Sequence, residues 1–214
     1  MRKAVDYTLY LVTDRELLAS GTLEAAVESA IRGGCTVVQI REKTASSREF
    51  FEQACRIKAI TDAHGIPLIV NDRADIALAV RVDGLHIGQS DLPLAVARRL
   101  VCDMLVGVSV ANLDEALIAK EGGADYLGVG AMFPTDTKKD TRSVSVDELA
   151  RIKRETGLPI VAIGGINERT LPMLAGIGID GIAVVSAILS QPDMAASATS
   201  LKTSFLSGAR HHNA

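Results

Sequence analysis

The chain has no tryptophan, and aromatic residues make up only 3% of its 214 positions. A surface that grips single-stranded nucleic acid stacks bases on aromatic rings, so that mode of binding has little to work with. The formal net charge is -3, so there is no overall basic field to hold a polyanion either. Cysteines are few and odd in number: Cys35, Cys55 and Cys102 are scattered without metal-ligand spacing. That pattern suits a reducing compartment and reads as plain core or surface thiols. The charged N-terminus, Met1-Arg-Lys-Ala-Val-Asp-Tyr, is followed by no apolar segment of signal-peptide type, and no apolar run reaches membrane-spanning length. A soluble, cytoplasmic protein is expected, with no nucleic-acid or membrane partner.

Small apolar residues are plentiful: the hydrophobic fraction is 48%, enough for one well-buried core. Short β-branched runs alternate with longer amphipathic stretches. The runs are Tyr7–Thr13, Val37–Ile40, Leu68–Val70, Gly84–Ile87, Leu105–Val110, Tyr126–Val129, Pro159–Ile163 and Gly181–Ser186. Their starts fall about 25 residues apart, the size of one strand plus one helix. Helix signals stand between them. Thr22 precedes "LEAAVESAIRG", Ser46-Ser47 opens a stretch that Gly65 ends, and Asn112 and Ser145 each stand three residues before a glutamate. A further helix is expected from Asn167, although Pro172 lies deep for a first turn. Eight β/α units predict a single-domain α/β fold, a closed (β/α)8 TIM barrel over residues 1–214, with 207–214 as a disordered tail. The competing open, doubly wound sheet usually carries a Gly-rich turn after its first strand. Here that position reads Thr13-Asp14-Arg15, with no GxGxxG.

In such a barrel the chemistry gathers where strands end and helices begin. Arg41 and Lys43 alternate along an extended segment and can share one face. With Lys138 they could surround one anion, Arg as a fork and Lys as a point charge. Rim salt bridges to Asp14, Glu42 or Asp136 are the plainer alternative. Asp72 and Asp91 end the third and fourth strand segments. Together they could hold Mg2+, act as an acid/base pair, or cap the next helices; the cations and amides nearby favour the metal. Gly164-Gly165 and Val185-Ser186 end the last two strands, a recurrent phosphate position in barrels. Between the two regions lies "VGAMFPTDTKKDT", residues 129–141, where Thr135, Thr137 and Lys138 supply hydrogen-bonding and charged groups. His86 reads as a hydrogen-bonded core or rim group rather than a base, and His211-His212 as surface.

The segments "LYLVTD" (9–14), "VVQIREK" (37–43), "LIVNDR" (68–73), "DGLHIGQSD" (83–91), "GVS" (107–109), "ADYLGVGAMFPTDTKKD" (124–140), "PIVAIGGI" (159–166) and "GIAVVSAI" (181–188) together resemble the thiamine phosphate synthase family. The resemblance runs in order along nearly the whole chain. It implies a (β/α)8 transferase that joins 4-amino-2-methyl-5-hydroxymethylpyrimidine diphosphate to a thiazole phosphate, with Mg2+ as cofactor. Thiamine phosphate and diphosphate are the implied products, by a dissociative mechanism. On the same resemblance Gln39, Arg41, Lys43, Asn71, Ser109 and Lys138 hold the pyrimidine diphosphate, with Arg41, Lys43, Ser109 and Lys138 acting in catalysis. Asp72 and Asp91 hold the metal. Thr135, Thr137, Gly165, Val185 and Ser186 hold the thiazole phosphate. The partners it implies are two small phosphorylated molecules, and a homodimer is allowed. Two positions depart from the family pattern: Ala131 replaces a usual proline, and Ser90 a frequent acidic residue. The related thiazole tautomerase is the alternative on the same fold, but it needs a histidine where this chain has Ala111-Asn112. A non-catalytic phosphate-binding barrel is the alternative from another class.

Overall fold

A computed structural model describes residues 4–135 and 142–210, with residues 209 and 210 as backbone only. Eight strands form it: β1 (Leu9–Val12), β2 (Val37–Ile40), β3 (Leu68–Asn71), β4 (Gly84–Ile87), β5 (Leu105–Val110), β6 (Tyr126–Val129), β7 (Ile160–Ile163) and β8 (Gly181–Val184). All neighbouring pairs are parallel, and β8 pairs back onto β1, so the sheet closes in chain order. Closure removes both sheet edges, and every strand keeps two ladders of backbone hydrogen bonds. The helices are α1 (Leu23–Arg32), α2 (Ser47–His64), α3 (Ala74–Val80), α4 (Leu94–Val101), α5 (Leu113–Glu121), α6 (Val146–Thr156), α7 (Ser186–Leu189) and α8 (Met194–Arg210).

Local chemistry explains most helix starts. The side chains of Thr22, Ser46, Asn112 and Ser145 each accept from the backbone N–H three residues on. Ser46 and Glu49 complete a reciprocal capping box on α2, and Gly65 ends that helix in the left-handed conformation. The segment after β7 departs from expectation. Instead of an α-helix from Asn167 there is a 3-10 turn, Leu171–Leu174, with Pro172 in its first turn. Proline lacks the N–H that an α-helix needs, and Asn167 spends its side chain on Arg169 and Thr170 in a turn of its own. At the C-terminal end, α8 continues to Arg210, into the segment expected as a tail; 211–214 lie outside the described residues.

Side chains alternate across the sheet, so the core has two compartments. Between strands and helices lies the larger one, built from residues such as Leu11, Val38, Leu68, Leu85, Leu127 and Ile182. The smaller one fills the barrel interior with Tyr7, Tyr10, Val12, Val37, Ile69, Tyr126, Val161 and Ala183. Three phenol rings in a narrow barrel need space beside them. Gly107 provides it: a Cβ there would lie 2.1 Å from Cζ of Tyr126 and 2.5 Å from Nδ1 of His86.

Gly107→Ala is therefore expected to destabilise the fold by about 1–3 kcal/mol, the usual cost of overpacking a full core. Urea unfolding measures it. An unchanged midpoint would show that the interior can give way.

Candidate active site

The C-terminal ends of the strands open into one cavity of about 1070 Å3. Arg41, Lys43, Asn71, Asp72, Asp91 and Ser109 line it from β2–β5 and their loops. Thr135, Gly165, Val185 and Ser186 line it from β6–β8. Gln39 lies deeper, on an inner chamber of about 100 Å3 that Arg41, Asn71 and Ser109 also border. Thr137 and Lys138 lie outside the described residues.

The cationic half is already engaged with carboxylates. Arg41 Nη1 meets Asp14 Oδ2 at 3.0 Å, and Lys43 Nζ meets Asp72 Oδ2 at 2.5 Å. Glu42 pairs with Arg15 at 3.0 Å, away from both. The rim-salt-bridge alternative thus describes Arg41 here, with the Asp14 partner named for it. Lys43 pairs instead with a residue of the cavity itself. Both cations line the cavity, where an anion can reach them.

Neither aspartate caps a helix. The residue before α3 is Arg73 and before α4 is Pro93, and neither end has a side-chain cap bond. Asp72 sits in the left-handed region, at φ 62°. Its N–H donates to His86 O at 2.8 Å while Arg73 N–H donates to Asn71 O at 2.7 Å, so the backbone turns sharply at Asp72. A non-glycine residue held there is strained, and such strain often marks a functional position. Asp91 closes its own turn by accepting from Gly88 N–H at 2.7 Å. These two turns place both carboxyl groups on the cavity, near enough to influence each other's ionisation. Burial raises the pKa of Asp72 above the ordinary range, and Asp91 adds to the rise, while Lys43 opposes it. Two adjoining carboxyls on a polar rim fit Mg2+, which commonly takes one or two carboxylates and completes its shell with waters and substrate phosphates. Among the described residues no group of three or more His, Cys, Asp or Glu stands ready to enclose a metal.

The opposite half is built from backbone and small side chains. Gly164 and Gly165 have φ of 98° and 64°. A Cβ on Gly164 would lie 2.6 Å from Cβ of Ala131, and one on Gly165 2.6 Å from O of Pro134. The pair thus lets β7 end directly beneath the chain that follows β6. Thr170 Oγ1 donates to Gly165 O at 2.9 Å and holds that turn. Ser186 begins α7, a helix of only 4 residues, so hydroxyl and amide groups rather than a long helix dipole are what it offers. Ala131 is anchored on both sides: its N–H donates to Arg142 O and its carbonyl accepts from Val144 N–H, each at 2.9 Å.

Several cavity groups escaped the sequence. Gln89 Nε2 donates to Ser109 O at 2.7 Å. Glu115 takes both arms of Arg142, at 2.6 and 2.9 Å, and also Ala111 N–H at 2.9 Å. Partial burial opposes ionisation of Glu115, but Arg142 and Ala111 outweigh it and hold its pKa low. Tyr10 and Tyr126 lie on the inner chamber with His86. Strand alternation could have found them, since each shares inward parity with a site residue on its own or a neighbouring strand. The buried Cys35 thiol, pushed up to about 12 by burial, is inert, and Cys55 and Cys102 are exposed away from the cavity. Among the described residues no helix is long and apolar enough to cross a membrane.

Residues 9–188 match the family model described as thiamine monophosphate synthase. A thiamine-phosphate synthase of Ruminiclostridium cellulolyticum is 54% identical over 210 residues, covering 98% of this chain and 100% of the relative. One of Clostridium beijerinckii is 53% identical over 207 residues, covering 96% and 99%. Among solved structures, a thiamine phosphate pyrophosphorylase of Pyrococcus furiosus superposes with a TM-score of 0.89 at 36% identity, covering 95% of this chain and 98% of that one.

The carboxyl pair can be tested without substrate. In metal-free protein Asp72 should titrate above an ordinary aspartate, and Asp91→Asn should lower it, because burial stays while the like charge goes. The sign for stability follows. A raised folded-state pKa gives stability that is present below the unfolded value and lost as pH rises through the folded value. Asp91→Asn should shrink that loss. Carboxyl-carbon NMR titration and Tm against pH measure both; an Asp72 titration unmoved by the substitution would show that the two groups do not interact.

Proposed function

This chain belongs to the thiamine monophosphate synthase family and is an enzyme that forms thiamine phosphate; on that premise we propose how its rim divides the work. The reaction joins 4-amino-2-methyl-5-hydroxymethylpyrimidine diphosphate to a thiazole phosphate. Gln39, Asn71 and Ser109 receive the pyrimidine, and Arg41, Lys43 and Lys138 its diphosphate. Asp72 and Asp91 hold Mg2+, which supplies positive charge to the diphosphate when bound. Thr135, Thr137, Gly165, Val185 and Ser186 receive the thiazole phosphate.

The observation that carries this reading is the single cavity with two unlike halves. One half pairs cations with two carboxylates; the other offers glycine backbone and small hydroxyls. A diphosphate with a divalent cation suits the first, and a monophosphate suits the second. The bond that forms is between the thiazole nitrogen and the pyrimidine methylene; the bond that breaks is methylene to diphosphate oxygen. Both reacting atoms belong to substrates, so the protein needs no nucleophile of its own. Its tasks are to neutralise the leaving group and to align the two rings. In a dissociative reaction the bonding pair leaves with the diphosphate, which gains negative charge, and the pyrimidine methylene is left as a cation for the thiazole nitrogen to attack. Arg41 and Lys43 can transfer their pairing from Asp14 and Asp72 to the diphosphate oxygens, which would leave the Asp72 carboxylate available to hold the metal. The proposal includes a cytoplasmic location and allows a homodimer.

The direct test is to incubate the pure protein with both phosphates and Mg2+ and to detect thiamine phosphate. Asp91→Ala should lower turnover by roughly 100-fold or more, since Lewis-acid stabilisation is worth several kcal/mol. Its affinity for the thiazole phosphate should change little. Ser186→Ala should do the reverse, weakening the thiazole phosphate by about tenfold, as expected for losing a hydrogen bond to a charged group. Calorimetric titration of each ligand into each variant reads the split. Equal loss of both ligands in both variants would refute the two halves.

A further inference from the structure

An unbroken chain of hydrogen bonds crosses the barrel interior below the cavity. Gln39 Nε2 donates to the Tyr10 hydroxyl at 2.8 Å. The Tyr10 and Tyr126 hydroxyls are 2.8 Å apart. Tyr126 OH lies 3.0 Å from His86 Nδ1, and His86 Nε2 lies 2.9 Å from Ser109 Oγ. The chain begins and ends on residues assigned to the pyrimidine, and its three middle members have no assigned role. It also frames the inner chamber, which all five residues line. The neighbouring strands are carved around it. Besides Gly107, Gly128 leaves room for His86, since a Cβ there would stand 3.0 Å from its Cε1.

The chain has a direction. An amide N–H can only donate, so Tyr10 accepts from Gln39. Tyr10 is buried, and a hydroxyl hydrogen left without an acceptor there is costly, so its own proton goes to Tyr126. Tyr126 in turn spends its proton on His86 Nδ1. That nitrogen must be bare, which puts the ring proton on Nε2, pointing at Ser109 Oγ. Ser109 then accepts from His86, and its own hydroxyl hydrogen is left for the chamber. Burial holds both tyrosines well above the usual phenol range, so both remain protonated donors at any working pH. Meanwhile Gln39 has committed its N–H and keeps Oε1 as an acceptor.

We infer that Tyr10, Tyr126 and His86 are positioning residues that lock His86 as its Nε2–H tautomer. The lock presents Ser109 as a donor and Gln39 as an acceptor to a heteroaromatic ring in the inner chamber. An aminopyrimidine offers the complement: amino hydrogens that need an acceptor and ring nitrogens that need a donor. The selectivity is thus written in the direction of a buried chain rather than in the two contact residues alone. A glutamine and a serine without the chain could each rotate to either polarity. This inference rests on the proposed substrate, but its first measurement does not.

That measurement is the nitrogen-15 shift pair of His86 in ligand-free protein, assigned by comparison with His86→Gln. The expected pattern is a neutral ring with bare Nδ1 and protonated Nε2. Tyr126→Phe keeps the ring volume and deletes the donor, so the Nδ1–H tautomer should become populated. The same variant should raise KM for the pyrimidine diphosphate by roughly tenfold. KM for the thiazole phosphate should stay within about twofold, as should both values in Tyr7→Phe, which removes a barrel hydroxyl outside the chain. A wild-type Nδ1–H tautomer overturns the proposal. So does a Tyr126→Phe protein whose tautomer is unmoved, or one whose two KM values rise together with a fall in Tm. If wild-type protein formed no thiamine phosphate at all, the substrate reading would fail while the tautomer measurement still stood.

Discussion

Closure of the sheet is the constraint on which everything else depends. Once β8 pairs with β1, each strand residue faces either the interior or the helices, with no third option. Register then sets which interior residues are neighbours. Asn71 stands beside His86, His86 beside Gly107, and Gly107 beside Tyr126. A one-residue slip in any ladder would turn the polar interior outward and bring aliphatic side chains in. The ladder hydrogen bonds that hold the barrel therefore also hold the floor of the cavity.

Closure also separates stability from chemistry along the barrel axis. The helix-facing layer is almost wholly aliphatic and carries the hydrophobic stabilisation. The buried polar side chains of that layer, Gln53, Thr61 and Thr156, are each hydrogen-bonded where they stand, and the polar groups of the cavity come from the interior chain and the rim. On the rim the lysine of the Lys43–Asp72 pair is half exposed, so that pair contributes little to stability, whereas Arg41 and Asp14 are largely covered. Each pair fixes the place of a cation on the cavity wall. Asp72 illustrates the balance. It tolerates a left-handed backbone and an adjoining carboxyl because His86 O, on the neighbouring strand, accepts its N–H.

Much of this was legible beforehand. Period-2 runs alternating with capped amphipathic stretches are local signals, and Thr22, Ser46, Asn112 and Ser145 do in the structure what their side chains permit. The rim residues were legible for a related reason: a strand end has a fixed place in a barrel, so polarity at strand ends points to one face. Pro172 shows the limit, because a helix was expected through it and the missing N–H yields a 3-10 turn. Asp72 and Asp91 show another. Helix capping was a fair reading of their positions, yet sharp turns at Asp72 and Gly88 aim both carboxyls into the cavity instead.

The sequence by itself determined the barrel, the order of its units and the rim on which the charged residues stand, because those follow from short-range periodicity and from chain order. Only the tertiary structure decided the partners. Arg41 with Asp14, Lys43 with Asp72, Glu115 with Arg142 and the Gln39–Ser109 chain join residues 27, 29, 27 and 70 positions apart. Such pairings depend on strand register and side-chain direction, quantities that exist only once the sheet has closed.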